Sequence, residues 1–247
     1  MHSSKLKSYT GNIAPIFKRE FAAYFNSPIA YIFVAVFLIV ANFLFFQSFF
    51  LTGQATLRSW FGLLPWLFLL LAPAITMRAW AEEKKSGTIE FLLTLPIRDF
   101  EVVLAKFFSA LLFLVLVLSL SITLPITIAV LGDSDVGTVI AGYAGGILLG
   151  AMYLAFGLLV SSFTRNQIVA FLVSLSGLFV IFFIGSNNVL SFITGPLASI
   201  LQFISSATHF ASVVKGIFDT RDIIYYLSFT ALFLYLNIQS IGSRNWR

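Results

Sequence analysis

Ten ionisable side chains crowd into Pro73 to Lys106, PAITMRAWAEEKKSGTIEFLLTLPIRDFEVVLAK, between two long apolar runs. Six of them, Arg78, Glu82, Glu83, Lys84, Lys85 and Glu90, sit within thirteen positions. Charges of both signs at this density do binding chemistry: carboxylates and ammonium groups displayed together make a docking surface. Each would cost several kcal/mol inside a bilayer, so the island must lie in water. Catalytic chemistry has far less to stand on. No G-x-x-x-x-G-K-[ST] phosphate loop, H-E-x-x-H helix or G-x-S-x-G turn occurs. With no cysteine, thiol catalysis, disulfides and thiolate metal sites are excluded. Asp133 with Asp135, and Asp219 with Asp222, pair carboxylates without a full oxygen cage and read as solvated loop charges, so no metal site is expected. His209 falls in a mixed segment and reads as an interfacial side chain. The polar residues inside apolar runs, among them Asn42, Ser119, Thr127, Ser174 and Asn237, carry no charge, which argues against a proton relay.

The elements that must hold the island are membrane-spanning. The chain is 59% hydrophobic with 29 Phe and 10% charged residues, at a mean hydropathy of +0.98; a soluble domain does not carry this composition. With 247 residues and roughly 20 per span, there is room for about six crossings and no separate soluble domain. Apolar runs cover about 29–50, 60–80, 102–131, 139–163, 168–185 and 223–241. The first lacks an A-x-A exit and reads as a retained span. Gly132 to Gly137 is a short turn that makes spans three and four an antiparallel hairpin. Kinks are expected near Pro73 and Pro125, tolerated where neighbours satisfy the freed carbonyls.

Residues 186–222 admit two readings: a seventh crossing, or two short helices, about 189–204 and 207–218, that dip into the outer leaflet and return. The second is preferred because Gly195-Pro196, Gln202 and three serines interrupt the run. With six spans and the N-terminus inside, twelve Lys and Arg fall on the inner side and three, Arg58, Lys215 and Arg221, on the outer. The termini and the island are thereby placed in the cytoplasm, and the basic pI of 9.6 follows from topology, not from nucleic-acid binding. At residues 12–26, Ile13, Ile16, Phe17 and Phe21 recur at near-helical spacing with Lys18, Arg19 and Glu20 elsewhere on the wheel. This predicts an amphipathic helix in the inner interface, broken by Ser27-Pro28. In span four, Gly142, Gly146 and Gly150 share one stripe, a face for close helix packing, within the subunit before between subunits.

Three stretches, Lys18-Arg19-Glu20 with Ser27-Pro28, PAITMRAWAEEKKSGTIEFLLTLPI (73–97) and GYAGGILLGAMYLAFGLLVSSFTRNQIVAF (142–171), resemble the membrane subunit of type-2 ABC exporters, nearest the gliding-motility-associated permease branch. The resemblance implies an all-α integral membrane protein of one permease domain, 1–247. It would have six transmembrane helices, both termini cytoplasmic, an N-terminal interfacial helix, a coupling segment at 81–100 and short outer helices between spans five and six. It further implies a homo- or heterodimer with two cytoplasmic ATPase subunits in a bacterial inner membrane. ATP and Mg would sit on those partners and no cofactor on this chain. Contacts to the ATPase carry over to Lys18, Arg19 and Glu20, and to Glu82, Glu83, Lys84, Gly87, Thr88, Glu90 and Arg98. Gly87-Thr88 can end one helix and start another. The implied activity is ATP-driven export of a lipid-like, amphiphilic or polypeptide cargo. A mechanotransmitter acting on an extracytoplasmic partner, and an ATP-independent scaffold or channel, remain the alternatives.

Overall fold

The computed structural model describes residues 13–52, 57–88, 98–131, 136–193, 195–217 and 219–242. Among them all regular structure is helical. Helix α1 covers Ile13–Phe25, α2 Pro28–Thr52, α3 Arg58–Thr76 and α4 Ala81–Ser86. Then come α5 Asp99–Leu120, α6 Thr123–Leu131, α7 Val136–Ser161 and α8 Gln167–Phe183. Short helices α9 Asn187–Leu190, α10 Pro196–Ile204 and α11 Ser206–Val214 precede the last, α12 Thr220–Gly242. Five helical stretches are long and apolar enough to cross a membrane: α2, α3 with α4, α5 with α6, α7 and α12. The expected fifth span corresponds to α8, whose 17 residues reach about 26 Å, at the short limit for a crossing of about 30 Å of hydrocarbon.

Helix α7 is the axis of the bundle, packed against α3, α5, α8, α11 and α12. Its glycines permit this. A Cβ at Gly142 would run into the Phe61 ring, one at Gly145 into Val213, and one at Gly157 into the Thr76 hydroxyl. At Gly146 it would approach Leu64 Cδ1 to 3.1 Å, and at Gly150 Leu114 Cδ2 to 2.9 Å. The stripe of Gly142, Gly146 and Gly150 thus faces α3 and α5 of the same chain. In lipid, where tails compete equally for apolar surface, such close approach supplies the packing that holds helices together.

Breaks follow local chemistry. Pro125 has no N–H for the Ser121 carbonyl and its ring crowds that group; the chain answers with a turn at Ser121–Ile122 that separates α5 from α6. The Ser121 hydroxyl is 2.9 Å from the Tyr143 hydroxyl. Pro73 lies inside α3 without interrupting it, and that helix ends three residues later. Between α8 and α12 the expected helix over 189–204 is two pieces, because Gly195 adopts φ +85° and Pro196 opens α10 as its first residue. Helices α10 and α11 meet at Ser205 with a 65° bend. The carbonyls freed there find hydroxyl donors: Tyr225 donates to Ile204 O (2.5 Å) and Tyr226 to Ser206 O (3.0 Å), while Ser205 donates to Phe182 O (2.9 Å). Tyr153 of α7 meets Ser206 Oγ at 2.8 Å. Irregular backbone inside a membrane-spanning bundle survives when protein groups satisfy it.

Two glycine substitutions separate close packing from helix propensity. Gly157→Val is expected to lower the thermal midpoint of the detergent-solubilised protein, through an overpacking cost of about 1–3 kcal/mol. Gly62→Ala, where a Cβ meets nothing within 4 Å, is expected to be neutral or to stabilise by up to about 1 kcal/mol. Equal effects would remove the close-approach role of α7.

Candidate functional site at the charged end

The charged island and α1 converge on Lys106. This residue lies two turns into α5 and is 2% exposed, so its ammonium must be matched by protein. Glu20 Oε2 of α1 lies 3.1 Å from Nζ, and Glu83 Oε1 of α4 lies 2.9 Å away on the other side. Arg19 Nη2 reaches Glu20 Oε1 at 2.7 Å and Glu83 Oε1 at 3.4 Å. The Trp80 ring adds a face 4.9 Å from Nζ, a favourable place for a cation. Two cations and two carboxylates therefore balance, and they tie together three elements far apart in sequence.

Local structure places each member. In α1, Glu20 and Tyr24 are one turn apart and both face α5. Tyr24 stacks on Phe113 with ring centroids 4.7 Å apart, and Phe25 meets the same ring edge-on. Helix α1 thus leans along the first turns of α5, anchored by rings above and charges below. Helix α4 follows α3 after a turn at Met77–Trp80. Its first amide groups would be orphaned, but Ser161 Oγ at the end of α7 accepts from Trp80 N (3.1 Å) and Ala81 N (3.2 Å), and donates to Met77 O (3.2 Å). The cap comes from another helix, which locks the start of α4 to the bundle axis. Gly87 closes α4 in the left-handed conformation at φ +73°.

Of the sequence-predicted residues, Arg19, Glu20 and Glu83 meet in this node. Glu82 lies beside it, paired twice with Arg78 at 2.8 and 3.1 Å, and Arg78 also donates to Ser27 Oγ at 2.6 Å. Lys84 is buried. Lys18 is exposed on α1. Thr88 is exposed beyond Gly87, with its hydroxyl 2.9 Å from Ser86 Oγ. Arg98 stands apart from the node at the start of α5, where its N–H donates to Glu101 Oε2 at 3.1 Å. Glu90 lies outside the described residues, as do Asp133 and Asp135. Sequence reasoning assigned Lys106 only an inside charge. Its signal was available: a lysine seven residues into an apolar helix needs a carboxylate partner.

Burial raises the Glu20 carboxyl, but Lys106 and Arg19 outweigh it and hold the group below its ordinary range. The hydrogen bond from Arg19 to Glu20 strengthens the guanidinium's hold on its proton.

At the opposite end, Asp222 and His209 depart from the loop-charge and interfacial readings. Both are buried; His209 Nδ1 lies 2.6 Å from Asp222 Oδ1, and Ser212 donates to Asp222 Oδ2. Asp219 instead accepts from Arg221 N at 2.9 Å. The two aspartates thus serve α11 and the start of α12, and no group of three or more metal-ligating side chains occurs among the described residues.

An all-helical bundle with five helical stretches long and apolar enough to cross a membrane defines a multi-pass membrane protein. The family model described as ABC-2 family transporter protein matches residues 14–245, and the chain belongs to that family. It is a permease subunit of an ABC transporter, the type of membrane component that works with an ABC ATPase subunit. No curated relative matches the chain.

Lys106→Met is expected to destabilise the protein by about 3–5 kcal/mol, since two partly buried carboxylates lose the more buried of their two cations. Combining it with Glu20→Gln and Glu83→Gln should restore part of the loss, a non-additivity visible in thermal midpoints. The acid limit follows from Glu20. Its folded-state affinity for protons is depressed below the ordinary 4.5, so its contribution is complete above that pH and is lost as pH falls through the lower folded value. Thermal midpoints measured from pH 7 to pH 3 should therefore fall more steeply for the native chain than for Glu20→Gln.

Proposed function

We propose that this chain is the membrane half of an ATP-driven exporter of the bacterial inner membrane. In this reading the charged end is cytoplasmic and α1 and α4 receive motion from two ATPase subunits. The observation that carries it is the Lys106 node. A push on α4 is resisted by ion pairs to α1 and α5 and by the Ser161 cap to α7, so it moves those helices as a body, not α4 alone. Exposed Glu82, Lys85 and Thr88 on α4 and beyond, with Lys18 on α1, present the docking charges. The segment 81–100 is then the coupling element, and Glu90 and Arg98 belong to it.

Two copies, or one with a related partner, would enclose a pathway lined by the apolar second and fifth spans, with α10 and α11 as a lid dipping in from the outer side. Walls rich in aromatics and free of fixed charge suit a lipid-linked, amphiphilic or polypeptide cargo. Likeness to the gliding-motility-associated branch rests on the quoted motifs. ATP and Mg belong to the partner subunits in this assignment.

The test is affinity purification of the chain from its native membrane in mild detergent, with mass spectrometry of co-purifying subunits and an ATPase assay. A phosphate-loop ATPase at near-equal stoichiometry is expected. Glu82→Ala with Glu83→Ala should lower ATPase stimulation by the permease about two- to thirtyfold, the range of coupling energies of about 0.5–2 kcal/mol, while membrane insertion is unchanged. Unaltered stimulation would remove the coupling role. Stimulation without cargo movement in proteoliposomes would favour a mechanotransmitter, and purification of the chain alone a scaffold or channel.

A further inference from the structure

Behind the node, α1, α2, α3 and α5 enclose a cavity of about 410 Å³, within the range of small-ligand sites. Its walls divide by chemistry. The floor is apolar, built from Ile29, Ala30 and Phe33 at the start of α2, from Leu71 and Ile75 near the end of α3, and from Phe113 of α5. All belong to stretches long and apolar enough to cross a membrane. The rim carries Arg19, Arg78 and Glu82, whose side chains are 60%, 35% and 48% exposed, so the cavity communicates with the surface at its charged edge. Arg19 commits one nitrogen, Nη2, to Glu20 and Glu83, which leaves the rest of its fork for another acceptor.

We propose that this cavity binds one glycerophospholipid, its phosphodiester held between Arg19 and Arg78 and its acyl chain laid on the floor formed by α2, α3 and α5. The amphiphilic division selects the occupant. A soluble partner's side chain can meet the charged rim, yet it has no reason to reach an apolar floor lying within membrane-spanning helices. A wholly apolar molecule would make no use of the Arg19 donors left over by Glu20 and Glu83. Arg78 already gives Nε and Nη2 to Glu82 and Nη1 to Ser27 Oγ, so a phosphodiester would engage it through the second hydrogens on its two Nη atoms. A phosphodiester matches planar guanidinium donors with charge-assisted bonds, and α1, amphipathic and packed over the cavity, lies where a headgroup would. This site stands independently of the ATPase partnership, and its test involves no ATPase.

The test is native mass spectrometry of the full chain, delipidated in a maltoside detergent and supplied singly with phosphatidylglycerol, phosphatidylethanolamine or diacylglycerol of matched acyl chains. One phospholipid per chain should be retained at least about tenfold more strongly than diacylglycerol. Ala30→Trp, which fills the floor, should cut that retention about tenfold. Val36→Trp, on the exposed face of α2 away from the cavity (50% exposed), should leave it unchanged. Because a new tryptophan at position 30 also strains packing, Arg19→Gln with Arg78→Gln gives a second test, and should bring phospholipid retention down to that of diacylglycerol. Preference for phosphatidylethanolamine would add an ammonium contact at Glu82, and parity of the two lipids would assign recognition to the phosphate; either supports the site. Equal retention of diacylglycerol and phospholipid, or equal behaviour of the Ala30 and Val36 variants, would show annular lipid and overturn it.

Discussion

A buried ammonium is the constraint around which the charged end is organised. Lys106 cannot reach water, and an uncompensated charge in that position costs several kcal/mol. The protein meets the demand with carboxylates from two other elements, Glu20 and Glu83, and a second cation, Arg19, restores the balance. Each partner is thereby fixed in place. Helix α1 cannot leave α5 without stranding charges, and α4 cannot swing without doing the same. Electrostatics that contributes little to net stability can still specify one arrangement, as a registry device does. In the function proposed above, that arrangement is the one the ATPase would meet.

The second organising fact is the smoothness of α7. Glycines at 142, 145, 146, 150 and 157 let Phe61, Val213, Leu64, Leu114 and Thr76 come against its backbone. The helices of the ionic node are thus seated on the same axis that carries the far end. There, hydroxyls of Tyr153, Tyr225 and Tyr226 meet the backbone or side chains at the α10–α11 bend. Helix α7 touches both, through Ser161 at its end and through Tyr153 about two turns before it. A continuous, tightly packed rod between a charged platform and the bent α10–α11 pair is a mechanical connection in the plain sense: displacement at one end is not absorbed by loose packing.

Much of this was legible in the residues. Ile13, Ile16, Phe17 and Phe21 announce an amphipathic helix, Ser27-Pro28 its end, and Gly87 the end of α4, because side-chain periodicity and backbone permissiveness are local properties. The break before Pro125 is equally local. The pair of helices over 189–204 and 207–218 was half legible: a bend near 205 agrees, but the Gly195-Pro196 start of α10 was read as an interruption within one helix. Near Pro73 the helical assignment runs on to Thr76 before the turn at Met77–Trp80. His209 and Asp222 were read as surface groups because each is ordinary alone; what makes them a buried pair is a chain reversal that brings residues thirteen apart to 2.6 Å.

The sequence by itself determined the class of molecule: apolar runs of spanning length, a charged island that must be hydrated, and glycines spaced to let helices touch. These depend on composition and on periods of a few residues. Only the tertiary structure decided which charges meet. Glu20, Glu83 and Lys106 are separated by 63 and 23 positions, and the serine that caps α4 comes 80 residues after it. Such pairings depend on how the helices pack around α7, and helix packing is a sum of many weak contacts that no short pattern encodes.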